Sequence, residues 1–85
     1  MKVFHYIIKD ELGIHARPAG LLVKEAGKYQ SYIKIKKAEK EADAKRIFNV
    51  MGLACKCGDE IVITVEGTDE VEAATALENF IGKNM

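Results

Sequence analysis

The residues whose types and spacing suggest chemistry are His15 and Arg17, two apart in the stretch Gly13-Ile14-His15-Ala16-Arg17-Pro18-Ala19. An unprotonated imidazole nitrogen is a nucleophile, and a guanidinium matches the oxygens of a phosphoryl group through charge-assisted hydrogen bonds. Pro18 is tolerated in the first turn of a helix, where its missing N–H costs nothing, so the spacing predicts a helix opening at Ala16 with His15 as its cap. A helix start presents unpaired N–H groups and a partial positive charge. It disfavours a cation on the neighbouring ring and favours an anion. His15 is thus expected to accept a phosphoryl group on Nδ1, the ring nitrogen turned toward the helix, with Ala16 and Arg17 forming the phosphate-stabilising helix start. Taken singly, His15 reads equally well as a polar cap and Arg17 as a solvated helix residue; Gly13 before them and Pro18 after them bind the two into one site. No P-loop pattern, no paired carboxylates beside the histidine and no serine suited to a hydrolase triad accompany them, which argues against autonomous catalysis.

The elements that must hold this site are legible by periodicity. Val3 to Ile8 reads as a strand with Phe4, Tyr6 and Ile8 inward and His5 outward. Asp10 to Gly13 forms a loop, and Gly13 permits a sharp turn ahead of the histidine. From Ala16 to about Lys28, Ala19, Leu22, Val23 and Ala26 follow helical spacing, leaving Arg17, Gly20, Leu21 and Lys24 on the opposite stripe. Ser31 to Lys37 alternates as a strand with Ile33 and Ile35 inward, and the charged run to Ala44 fits a turn and a short edge strand. Lys45 to about Ala54 is a short helix with Ile47, Val50 and Leu53 partly buried and Phe48 and Met51 nearer the surface. Glu60 to Glu66 is the clearest strand, with Ile61, Ile63 and Val65 on one face. Asp69 and Glu72 have capping-box spacing for a last helix from about Glu70 to Ile81, with Val71, Ala74, Leu77, Phe80 and Ile81 as its apolar stripe and Gly82 as its stop. The order β-α-β-β-α-β-α places the chain in the α+β class, with helices on one face of a mostly antiparallel sheet.

Eighty-five residues fit a single domain, residues 1–85, with one modest core. Lys plus Arg and Asp plus Glu are each 13, a formal net charge of +0, so nucleic acid is not an expected partner and a protein surface is. No signal-peptide pattern and no apolar run near the roughly 20 residues of a membrane span occur, which points to a cytoplasmic protein without membrane insertion. Cys55 and Cys57 are the only cysteines and His5 and His15 the only histidines. A closed zinc site needs about four ligands, so neither metal nor cofactor is expected, and the cysteines read as two neighbouring surface thiols. A thiol or metal protein built on them is the least supported of the available readings.

The seven-residue stretch around His15 resembles the active-site signature of the HPr family, the histidine phosphocarriers of the bacterial phosphotransferase system. Chain length, element order and the segment Lys45 to Leu53, which resembles that family's second motif region, extend the likeness over the whole chain. The resemblance implies an open-faced β-sandwich with sheet order 1-4-2-3. It also implies a carrier rather than an enzyme, receiving phosphoryl from enzyme I on His15 as a pros-phosphohistidine and passing it to IIA components of sugar transporters. Partner docking carries over to Ala16, Arg17, Gly20, Leu21, Lys24, Arg46, Ile47, Phe48, Asn49, Met51 and Gly52, with Arg17, Lys24 and Lys45 ringing an apolar patch for an acidic partner. A monomer is expected, since successive partners need one exposed site. Where many relatives carry a regulatory serine this chain has Arg46, which has no hydroxyl to phosphorylate and a charge opposite to phosphoserine. Arg46 is expected to add positive charge near His15, and Ser31, the only serine, lies elsewhere. The alternative reading is a regulatory binding module of the same fold that docks on other proteins and lacks serine-phosphorylation control.

Overall fold

The computed structural model describes residues 1–85, and the seven elements follow the expected order. They are β1 Lys2–Ile7, α1 Ala16–Ala26, β2 Tyr32–Lys37, β3 Lys40–Asp43, α2 Ile47–Gly52, β4 Glu60–Glu66 and α3 Glu70–Asn84. The sheet order is β1-β4-β2-β3 and every pairing is antiparallel. β4, the most strongly alternating segment, lies between β1 and β2, so its inward side chains face partners from both neighbouring strands. Ile63 stands opposite Phe4 and Ile35, and Val65 opposite Ile33.

Period-two alternation sends Ile33, Ile35, Ile61, Ile63 and Val65 into the core, where each is at most 1% exposed. The three helices cover that face with Ala19, Leu22 and Ala26 from α1, Val50 from α2, and Ala73, Leu77 and Ile81 from α3. The opposite face of the sheet carries Val3, His5, Ile7, Tyr32 and Lys36 and remains open. The charged residues of the edge keep it in water, and Lys34 pairs with Glu41 across β2 and β3 at 3.4 Å.

α3 departs from expectation at both ends. Its buried stripe is Ala73, Leu77 and Ile81, whereas Val71 is 59% exposed, because the four-residue repeat that faces the sheet begins two positions later. The capping box is not formed. Asp69 makes no side-chain cap bond to the helix, and its carboxylate instead accepts from the Gln30 and Ser31 backbone N–H groups and the Ser31 hydroxyl. Those donors lie far away in sequence, which is why a local spacing rule assigned the carboxylate wrongly. Gly82 does not stop the helix, which continues to Asn84. Asn84 Nδ2 donates to the Phe80 carbonyl, and the buried Met85 returns its own N–H to Ile81.

Candidate functional site

The site begins with a loop that is fixed from several directions. Gly13 has φ +69°, a left-handed conformation favoured by glycine, and a Cβ there would collide with the Cys55 carbonyl oxygen and lie 2.8 Å from Lys56 Cα. The same Cys55 carbonyl accepts the Ile14 N–H at 3.1 Å, and the Ile14 side chain is buried. The strand side of the loop is tied to the end of α3, since the Met85 main-chain oxygen accepts the N–H groups of Lys9 and Asp10 at 2.7 and 2.9 Å. His15 therefore leaves a backbone held by two distant segments of the chain.

His15 occupies the N-cap of α1 with extended dihedrals, φ −109° and ψ −173°, and its carbonyl accepts the first helical bond from Ala19. Its side chain makes no capping bond, so the ring is not consumed by the role that the spacing offered it. No acidic side chain occupies the first turn of α1, which leaves its N–H groups facing an open approach for an anion. Pro18 is buried, while Ala16 and Arg17 are exposed. Opening the helix with a proline thus fixes the turn without blocking the site.

A shallow depression of about 320 Å³ gathers Asp10, His15, Arg17, Pro18, Leu21, Lys83 and Asn84. Arg17 and Leu21 were legible from the sequence; Asp10, Lys83 and Asn84 were not. Lys83 reaches the site only because α3 runs past Gly82, and Asp10 only because the loop folds back on itself. The Asp10 carboxylate lies with Oδ2 3.9 Å from His15 Nε2, the two side chains being 34% and 37% exposed. The histidine is thus accompanied by a single carboxylate and not by a pair. With Arg17 and Lys83 beside the ring and one carboxylate facing its Nε2, the depression can accept a dianionic group at the helix start while leaving Nδ1 free of any partner given by the carboxylate.

The remaining predicted site residues lie on α1 and α2 and at the N-cap of α2. α1 packs on α2, and a Cβ at Gly20 would stand 3.7 Å from Ile47 Cδ1, so the small residue permits the helices to approach. Leu21, Phe48 and Met51 are 42%, 85% and 37% exposed, and Lys24, Asn49 and Gly52 are exposed beside them, with Ile47 half-buried. Phe48, Asn49 and Gly52 line a second depression with Lys40 and Glu41. Arg46 lines neither depression; it is exposed at the N-cap of α2 and pairs with Asp43 at 3.7 Å. Lys45 does not ring the patch as a free cation, because its ammonium donates to the Tyr29 carbonyl at 2.7 Å.

The cysteines also depart from expectation. Cys57 is exposed, but Cys55 is buried and burial pushes its thiol up from the ordinary range. No group of three or more His, Cys, Asp or Glu side chains converges in the chain. Ser31 is fully buried beneath Gly67, whose missing side chain makes room for it. No helix is long and apolar enough to cross a membrane.

The model of the family described as "PTS HPr component phosphorylation site" matches residues 3–83. The phosphocarrier protein HPr of Mycoplasma capricolum is 46% identical over 78 residues, 92% of this chain and 88% of that protein. A solved histidine-containing phosphocarrier protein of Mycoplasma superposes with a TM-score of 0.94 at 43% identity, covering 96% of this chain and 93% of that one. An HPr dimer from Thermoanaerobacter tengcongensis superposes at 0.78 and 40% identity, covering 98% and 95% of the two chains.

Proposed function

The chain belongs to the HPr family, the phosphocarriers of the phosphotransferase system, and on that premise we propose that His15 accepts a phosphoryl group from phosphorylated enzyme I and passes it to IIA components of sugar transporters. The 85 residues act as one cytoplasmic phosphocarrier domain. The observation that carries the reading is the free imidazole at the N-cap of α1, with no acidic residue in the first turn and Arg17 beside it. The phosphoryl group attaches to Nδ1 as a pros-phosphohistidine. Its charge is taken up by Arg17 and by the helix-start N–H groups of Ala16 and Arg17.

Chemistry is supplied by the partners, which dock on the surface of α1 and α2 through Gly20, Leu21, Lys24, Ile47, Phe48, Asn49, Met51 and Gly52, with Arg46 at its margin. An exposed apolar patch with cations beside it suits an acidic partner surface and transient contact. Phe48→Ala is expected to weaken docking to enzyme I about tenfold without loss of fold, as for a truncated aromatic anchor. The decisive incubation combines the protein with enzyme I and phosphoenolpyruvate. An acid-labile mass gain that disappears in His15→Ala supports the assignment, and absence of any gain with several enzyme I sources contradicts it.

The serine-kinase switch of the family is absent from its usual place, since Arg46 offers no acceptor hydroxyl. Ser31 is no substitute: it is 0% exposed and its hydroxyl is bonded to Asp69. Arg46 also supports a second reading, a regulatory module that docks on partners other than IIA domains. Phosphorylated protein that fails to deliver its group to any IIA domain would favour it. The protein is expected to act as a monomer. Light scattering checks this against the dimer solved for the Thermoanaerobacter relative.

A further inference from the structure

Asp10 is held more firmly than a loop carboxylate needs to be. Its N–H donates to the Met85 main-chain oxygen at 2.9 Å, its own carbonyl accepts the Gly13 N–H at 2.9 Å, and its Oδ1 accepts the Leu12 N–H at 2.8 Å. These bonds use one carboxylate oxygen and leave the other, Oδ2, facing His15 Nε2 at 3.9 Å. The charged side chains that line the depression with His15 are Asp10, Arg17 and Lys83. Of these side chains, Asp10 alone carries negative charge.

We propose that Asp10 is a positioning residue for phosphoryl transfer, which keeps the His15 proton on Nε2 and neutralises the ring when Nδ1 is phosphorylated. The proposal rests on the assignment of His15 Nδ1 as the phosphoryl acceptor. A carboxylate opposite Nε2 favours the tautomer whose N–H points at it, and this leaves the Nδ1 lone pair free. In transfer, that pair forms the new P–N bond while the donor's leaving atom keeps the electron pair of the bond it loses. The His15 ring, still protonated on Nε2, is left with a positive charge beside Asp10 Oδ2. On delivery the P–Nδ1 bond breaks, its electron pair returns to Nδ1, and the ring departs as neutral imidazole rather than as the far poorer imidazolide leaving group. A carboxylate that holds a histidine tautomer and stabilises the imidazolium formed is a general device of transfer chemistry.

The test is Asp10→Asn, which retains an oxygen for the Leu12 N–H and removes the charge. Long-range proton–nitrogen NMR of His15 is expected to show the Nε2–H tautomer predominating in the wild type and a shift toward the Nδ1–H tautomer in the variant. Phosphoryl acceptance from phosphorylated enzyme I is expected to slow about fivefold, the upper end for an ion pair at a half-exposed site. An unchanged tautomer ratio overturns the proposal whether or not transfer slows, because slowing alone is what a loosened loop gives. An altered ratio with unchanged transfer overturns it as well. Wild-type protein that takes up no phosphoryl group contradicts the carrier reading itself, and the tautomer measurement, made without phosphate, still reports on Asp10.

Discussion

Two aspartates, Asp10 and Asp69, end up beside a side chain that carries a reactive atom, and the molecule uses them in opposite ways. Asp69 is saturated. Both of its oxygens accept hydrogen bonds, from the Ser31 hydroxyl and from the backbone N–H groups of Gln30 and Ser31. These donors, the Ser31 hydroxyl foremost, hold its carboxyl below the usual aspartate range. Asp10 binds one N–H with one oxygen and directs the other toward a half-exposed histidine, too far for a hydrogen bond. The lesson is one of valence: a carboxylate whose acceptor sites are filled clamps two segments together, and one with a free oxygen remains available for chemistry. Both loops depend on a glycine that a side chain could not replace, Gly13 against Cys55 and Gly67 against Ser31.

The comparison can be broken most forcefully at its glycines. Gly13→Ala places a methyl group into backbone and forces a left-handed φ on alanine, so a loss of about 3 kcal/mol in chemical denaturation is expected, together with slower phosphoryl acceptance. A variant as stable as the wild type would mean that the loop is not pinned to Cys55. Ser31→Ala should cost about 1 kcal/mol, the scale of one lost hydrogen bond, and leave phosphoryl transfer unchanged. The pH dependence should change with it. A carboxyl whose folded-state pKa is depressed stabilises the fold above the ordinary aspartate range, and that contribution is lost as pH falls through the folded-state value. Removing the Ser31 hydroxyl should therefore flatten the acid side of the stability profile, and an unaltered profile would show that Asp69 is held by other groups.

Effects on the reactive side should be smaller in stability and visible in function. Lys83→Gln is expected to leave the melting temperature within error and to shorten the lifetime of the phosphorylated form about twofold, in keeping with a solvent-screened charge. An unchanged lifetime would place Lys83 outside the electrostatics of the site and assign it to the C-terminal end of the helix alone.

The sequence revealed the parts governed by local rules. Ile33 and Ile35, or Ile61, Ile63 and Val65, announce their faces by strict alternation, and Gly13, His15, Arg17 and Pro18 announce a helix start by their order. What was illegible depends on contacts between distant segments. Ser31 reads as an ordinary polar residue at a strand start, and only the return of Asp69 across the fold shows why it is buried. Cys55 lies in a segment without periodicity, so its burial and its carbonyl's grip on Ile14 leave no local trace. Lys83 was hidden because Gly82 resembles a helix stop; Met85, buried and bonded to the Lys9–Asp10 loop, carries the helix past it. The exposure of Leu21 and Phe48 was legible, since both break the amphipathic pattern of their helices, but the engagement of Lys45 with Tyr29 required the fold.

The claim on which the rest depends is that His15 is the phosphoryl acceptor. Phosphorus NMR of protein incubated with enzyme I and phosphoenolpyruvate tests it directly. The account predicts one acid-labile phosphoramidate resonance of a pros-phosphohistidine, absent from His15→Ala while that variant keeps its fold. A resonance that persists in His15→Ala, or that belongs to the other ring nitrogen, would contradict it.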